Sequence, residues 1–60
     1  MKAILEFDYP IKTNEGIVFK RHKEKIIGTI KDFKEHLRIL KAYGNMFAIS
    51  IILENGKVLI

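Results

Sequence analysis

Few side chains in this 60-residue sequence could serve as catalytic nucleophiles or metal ligands. It has no cysteine, and its only aliphatic hydroxyls belong to Thr13, Thr29 and Ser50. Nucleophilic catalysis needs such a group held beside a base and an orienting residue. The two histidines, His22 and His36, are far apart in the chain and match no metal-binding spacing. The sequence therefore predicts a protein that is not an enzyme and that needs no cofactor or metal.

Glu6 and Asp8 form the one carboxylate pair spaced for acid–base work. Residues two apart in a strand point to the same side of a sheet. The spacing also fits the solvated face of a half-buried strand, and we favour this simpler interpretation. The four glycines, at positions 16, 28, 44 and 56, match no phosphate-binding loop and are expected in turns and caps.

The positive charge is concentrated in one segment. Residues 20–41 contain eight basic and three acidic side chains, whereas the rest of the chain contains three basic and four acidic ones, for a net charge of +4. Clustered cations are typical of proteins that contact nucleic-acid phosphates. The predicted nucleic-acid-binding residues are Lys20, Arg21, Lys23, Lys25, Lys31, Lys34, Arg38 and Lys41.

The last four of these cations recur at helical spacing. They fall within an arc of about 80°, and we expect this arc opposite the apolar stripe of the helix. An ordinary solvated helix face has the same composition, so both interpretations stay open. The sequence has no glutamine and few other side chains that read base edges, which favours contacts to the phosphate backbone over base recognition.

The helix itself has clear boundaries. Thr29 is the predicted N-cap, with Asp32 three residues on as in a capping box. Gly44 and Asn45 supply a left-handed C-cap, so the helix spans residues 30–43. His36 is expected to be half-buried at the edge of the apolar arc. The predicted core stripe comprises Ile30, Phe33, Leu37 and Leu40, widened by Ile39 and Tyr43.

Two hairpins flank the helix. Alternating residues predict a strand over 2–9 that ends at Pro10, then a long loop with a turn at 13–16, and a second strand from 17–19. Residues 20–25 extend that strand or form a loop, and residues 26–27 form a short strand or lead into the helix. Asn55-Gly56 predicts a type I′ turn between strands 46–54 and 57–60, with Glu54 facing Lys57.

Both sides of the strand over residues 46–54 are largely apolar, although one helix covers only one face of a sheet. A second copy of the chain is the predicted cover, because sixty residues bury only about 60% of their unfolded surface and few other means of stabilisation are present. The predicted dimer interface comprises Met46, Ala48, Ile52, Val58, Leu59 and Ile60.

Together these elements predict a single α+β domain over residues 1–60. Its small antiparallel sheet has one helix packed on one face, in the order β-β-α-β-β, with an optional short strand near residue 26. No targeting segment or membrane span is expected, which predicts a cytoplasmic protein.

These sequence features are compatible with two functions. The first is a small dimeric nucleic-acid-binding protein that contacts DNA through its backbone, such as a transcriptional regulator. The alternative is a protein-binding module or inhibitor, of the kind that viruses and mobile elements encode, docking on a larger protein through residues 46–60 or through the basic face. No small-molecule substrate is indicated.

Overall fold

The computed structural model describes all 60 residues. The elements are β1 (Lys2–Thr13), β2 (Gly16–Ile27), α1 (Ile30–Tyr43), β3 (Phe47–Leu53) and β4 (Val58–Leu59). The strands form one antiparallel sheet in the order β2-β1-β3-β4, which confirms the predicted α+β class and element order. The optional strand near residue 26 does not form, because residues 26–27 are the end of β2. No helix is long and apolar enough to cross a bilayer.

β1 and β2 pair along their whole length and are joined by a two-residue turn, where a long loop was predicted. The Thr13 hydroxyl accepts a hydrogen bond from the Glu15 amide at 3.2 Å and donates one to the Gly16 carbonyl at 2.9 Å. Gly16 has a φ of 125°, which a residue with a side chain rarely adopts. The turn is therefore fixed by local chemistry, and it permits a much longer hairpin than the sequence indicated.

β1 continues through Pro10, where it was predicted to end. Pairing between β1 and β3 stops at Asp8 opposite Phe47, so Pro10 has a neighbouring strand on one side only. A proline, which has no amide hydrogen, is tolerated where the strand is an edge. Residues 10–19, here called the hairpin arm, extend beyond β3, and the molecule measures 41 × 20 × 15 Å.

α1 begins and ends as predicted. The Asp32 amide donates to the Thr29 hydroxyl at 3.2 Å, and the Asp32 carboxylate accepts from the Thr29 amide at 2.9 Å, which completes a capping box. Gly44 ends the helix with a φ of 76°. The hydrogen bond from the Thr29 amide to the Asp32 carboxylate is the main cause of the lowered pKa of Asp32.

The core lies between α1 and one face of the sheet. Its buried members are Ala3, Leu5, Phe33, Leu37, Leu40, Ile49, Ile51 and Leu53. Ile30 packs against them and His36 is half-buried, as predicted. The prediction that Ile39 and Tyr43 widen the stripe is wrong, since they expose 42% and 67% of their surface. The helix lies on a narrow sheet, so that a narrow stripe is enough to make the contact.

A β-bulge in β3 decides which of its side chains face the core. Between Glu6 and Asp8 the register shifts, so that β3 advances by one residue more than β1. Ala48, within this bulge, has a positive φ of 53°. Phe47 is thereby turned to the sheet face opposite α1, and Met46 packs against the core. The predicted alternation of the strand is therefore reversed at its first two residues.

The β3–β4 connection lies at Asn55-Gly56 as predicted, but its register differs. The Gly56 amide donates to the Leu53 carbonyl at 2.9 Å, and the Leu53 amide donates to the Lys57 carbonyl at 2.8 Å. Only Gly56 has a positive φ, of 85°, whereas a type I′ turn needs two such residues. Lys57 therefore lies opposite Leu53 instead of Glu54, and all of β4 is shifted by one residue.

Candidate nucleic-acid interface

The four cations of α1 are all exposed along one flank of the helix. By helical geometry the centre of their arc lies roughly 110° from the centre of the buried stripe, beside it and not opposite it as predicted. The stems of long basic side chains can lie along apolar surface while the charged groups stay in water. The residues of this flank are Lys31, Lys34, Arg38 and Lys41.

Both acids of α1 are engaged within the helix. Asp32 belongs to the capping box, and Glu35 accepts two hydrogen bonds from Arg38, one of them 3.0 Å long between Arg38 Nε and Glu35 Oε2. These bonds lower the pKa of Glu35 and raise that of Arg38.

The three lysines of this flank have no carboxylate within ion-pair distance. The name lysine face is used below for these residues, Lys31, Lys34 and Lys41. Their charges are therefore available to an anionic partner.

The cations of β2 do not extend the lysine face. Residues alternate between the two faces of a sheet, and Leu5 of β1 is buried under α1. By the β1–β2 register, Arg21, Lys23 and Lys25 lie on the face that points away from α1, called the open face. Lys20 lies on the face that carries α1. The eight predicted binding residues are therefore spread over separate surfaces.

Two of the open-face cations are already neutralised. Arg21 Nε lies 2.9 Å from Asp8 Oδ1, and Lys23 Nζ lies 3.3 Å from Glu6 Oε1. The hydrogen bonding of Arg21 to the Asp8 carboxylate, which accepts from the guanidinium, is the main cause of the raised pKa of Arg21. The side chains of Glu6 and Asp8 expose 15% and 29% of their surface. They belong to a half-buried ion-pair network and not to the solvated face that was predicted. Of the three predicted cations on the open face, only Lys25 has no ion pair.

β2 is also an outer strand of the sheet along its whole length. Unpaired strand edges recruit other chains, and charged residues, lysine above all, discourage such pairing. The cations over residues 20–25 therefore have a structural explanation that needs no ligand. A solvated helix face would have the same residues as the lysine face, but no carboxylate pairs with these lysines, which makes this face the stronger candidate for binding.

The predicted dimer residues are divided between the two faces. Met46 and Leu59 pack against the core on the α1 side, as a result of the bulge and of the shifted turn. Ala48 and Ile60 are exposed, the latter by 81%. The remaining two, Ile52 and Val58, are cross-strand partners on the open face.

Two isoleucines that the sequence analysis did not select extend this apolar area. Ile4 pairs with Ile52 across the sheet, and Ile27 lies at the adjacent end of β2. Ile4, Ile27 and Val58 expose 40%, 78% and 50% of their surface. A hollow of about 560 Å³ adjoins Ile4, Ile27 and Ile52. The name aliphatic patch is used below for Ile4, Ile27, Ile52 and Val58. Strand register brings them together, which periodicity along the chain does not reveal.

An aromatic cluster on the α1 side of the sheet was also missed. Phe7 stacks on its cross-strand partner His22, with ring centroids 4.9 Å apart and planes inclined by 29°, and Tyr9 meets Phe7 edge-on at 6.3 Å. The three half-buried side chains, called the aromatic platform, border a hollow of about 360 Å³ with Asn45 and Met46. The alternation of β1 places Phe7 and Tyr9 on one face, but the position of His22 follows only from the register of β2.

No similarity to a known protein indicates a function for this chain. No protein-family model, no curated protein and no solved structure matches the chain. The lysine face, the aliphatic patch and the aromatic platform are the surfaces from which the function must be inferred.

Proposed function

We propose that this protein binds nucleic acid as a homodimer, mainly through the phosphate backbone. The observation that carries the proposal is the lysine face, where three unpaired ammonium groups follow one flank of α1 while both acids of the helix are bound elsewhere. Lysine contacts phosphate as a hydrated point charge. Arg38 lies on the same flank and can exchange Glu35 for a phosphate.

Salt dependence is the first test. Each phosphate that a protein neutralises on duplex DNA contributes about 0.9 to the slope of log K against log salt. Three or four contacts per chain therefore predict a slope of about −2.7 to −3.6 per protomer between roughly 50 and 200 mM salt. Fluorescence anisotropy with a labelled duplex measures this slope, and absence of binding to duplex and single-stranded probes alike at the lowest salt concentration would refute the function.

Charge reversal locates the interface. In the variant Lys31→Glu/Lys34→Glu we expect a large loss of affinity and a slope shallower by about 1.8, because two phosphate contacts are lost. The matched control is Lys12→Glu/Lys57→Glu, which changes the net charge equally at exposed, unpaired lysines outside α1. An equal loss of affinity in both variants would show that only the overall charge matters.

The homodimer in this proposal is supported by the aliphatic patch. Its side chains adjoin one another on a sheet face that no element of the chain covers. A two-fold dimer places the same patch on both subunits, so one apolar area can bury another of identical composition. Two lysine faces per particle would then double the number of phosphate contacts.

A protein-binding module is the second candidate function, and the hairpin arm favours it. Ile17, Val18 and Phe19 expose 66%, 45% and 60% of their surface, and they alternate between the two sides of a two-stranded ribbon. Such ribbons are marginally stable alone, and apolar side chains on both sides suit insertion into a groove of a larger protein.

A capture experiment separates this candidate from the first. A partner protein retained from nuclease-treated lysate by the wild type, lost with Ile17→Lys/Phe19→Lys and kept with Lys31→Glu/Lys34→Glu, would favour the protein-binding module. Capture that nuclease treatment abolishes would favour nucleic-acid binding.

A further inference from the structure

We infer that the aromatic platform stacks against a nucleobase, so that this protein binds single-stranded nucleic acid more tightly than a duplex. The inference rests on the proposed function and adds to it a preference for unpaired bases. Aromatic side chains bind single strands by stacking on the faces of bases, and these faces are accessible only outside a duplex. Stacking also tolerates any base sequence, in keeping with the scarcity of side chains that read base edges.

The platform is built on a rigid part of the molecule and is still accessible. Phe7 packs against the core and so fixes one ring. His22 stacks on that ring and keeps 42% of its side-chain surface exposed. Tyr9 lies two residues after Phe7 in β1, on the same face of the sheet and beyond the buried core residues. It contributes a second partly exposed ring.

The surroundings of the platform fit a nucleotide. Lys20 is the cross-strand partner of Tyr9 on the same face, is exposed and has no ion pair, as a phosphate contact requires. The side chain of Asn45 borders the adjoining hollow and offers both a donor and an acceptor to a base edge. The one acid in contact with the platform, Glu24, lies 3.6 Å from His22 Nε2.

Cross-strand aromatic pairs also stabilise sheets, and the Phe7–His22 stack has that effect here. Tyr9 is not needed for it, because the two rings stack without Tyr9. A test on Tyr9 therefore separates binding from stability.

The test compares single-stranded oligo-dT and oligo-U with duplex DNA. In Tyr9→Leu, loss of one stacked base should weaken single-strand binding roughly 5- to 100-fold, with duplex affinity and the salt slope unchanged. The matched control is Tyr43→Leu, which removes an exposed tyrosine of α1 outside the platform and should change neither affinity. Tyr9→Phe keeps the ring and should keep single-strand affinity.

A second measurement does not depend on a substitution within the platform. The chain has two tyrosines and no tryptophan, so Tyr9 is the only strong fluorophore in Tyr43→Phe. Stacking of a base on Tyr9 should quench this fluorescence during a titration with oligo-dT or oligo-U. Inorganic polyphosphate, which has the charge but no bases, should leave the fluorescence unchanged.

The outcomes distinguish the two proposals. Unchanged single-strand affinity in Tyr9→Leu, without quenching by either oligomer, overturns the stacking site while binding through the lysine face stands. Absence of binding to any nucleic acid overturns both. Tyr9-dependent binding of either oligomer supports the inference.

Discussion

At the scale of single residues, the carboxylate of Asp32 makes the stability of the N-terminal cap of α1 depend on pH. The Asp32 carboxylate accepts a hydrogen bond from the Thr29 amide, and the Asp32 amide donates a hydrogen bond to the Thr29 hydroxyl. The bond to the carboxylate favours the charged form, so the pKa of Asp32 in the folded protein lies below the ordinary value of 3.8. A carboxyl group with a lowered folded pKa contributes stability above its unfolded pKa and loses it as pH falls through the folded pKa.

We therefore expect Asp32→Asn to unfold more easily than the wild type at neutral pH. The difference should shrink as pH falls below 3.8, because the wild-type carboxylate becomes protonated there and loses its advantage. Urea unfolding at a series of pH values measures this. The matched control is Glu15→Gln, at a turn position whose carboxylate has no ion pair or hydrogen bond, and it should follow the wild-type curve. A constant difference at all pH values would contradict the assignment.

At the scale of elements, the bulge in β3 determines the use of the whole strand. It turns Phe47 onto the open face, where its ring meets Phe19 edge-on with centroids 5.6 Å apart, and it leaves Met46 to cover the core. The bulge therefore allows Phe47 of β3 to contact Phe19 at the base of the hairpin arm. Its cost is the positive φ of Ala48, a conformation that disfavours a side chain.

Replacing Ala48 with glycine should stabilise the protein. Relief of the left-handed conformation is worth about 1–2 kcal/mol, and the greater freedom of glycine in the unfolded chain offsets about 0.4–1 kcal/mol of it. We expect a net gain of up to about 1.6 kcal/mol in the free energy of unfolding, measured by urea denaturation. The same substitution at Ala42, exposed within α1, should instead cost about 1 kcal/mol. A loss of stability at both positions would mean that the Ala48 conformation is not strained.

Elements whose ends are set by neighbouring residues were predictable, and those set by distant pairing were not. The caps of α1 need only Thr29, Asp32 and Gly44, so the sequence placed them correctly. The passage of β1 through Pro10 depends on where β3 stops, a contact between segments far apart in the chain. Likewise Asn55-Gly56 indicated a turn, but its type and register depend on how β4 settles against β3.

At the scale of the whole molecule, the candidate surfaces are separated. The lysine face lies on a flank of α1, the aromatic platform on the α1 side of the hairpin, and the aliphatic patch on the opposite face of the sheet. The sequence predicted the cations of α1 as a group, because helical spacing is local. It could not show that the basic residues of β2 lie on other surfaces, since that follows from which face of the sheet α1 covers.

This separation lets association be tested without touching the other surfaces. We expect Val58→Lys to convert a dimer to a monomer, because it places a charge in the aliphatic patch. Val18→Lys is the matched control, since Val18 is similarly exposed, 45% against 50%, but lies on the other face of the sheet. Sedimentation equilibrium gives the masses. A wild type that is monomeric at all concentrations, or a dimer unaffected by Val58→Lys, would exclude the patch as the interface.

The pairing of β1 has a consequence for the order in which the chain folds during its synthesis. The β1–β2 hairpin needs only the first 27 residues and a two-residue turn, and hairpins form within about 1–10 μs. The pairing of Ala3 with Leu53 must wait until β3 has also been made. A nascent chain thus carries a completed hairpin with an uncovered apolar side while α1 and β3 are still being added. A product truncated before β3 would have its hairpin and helix but no closed core, and would be a substrate for chaperones and proteases.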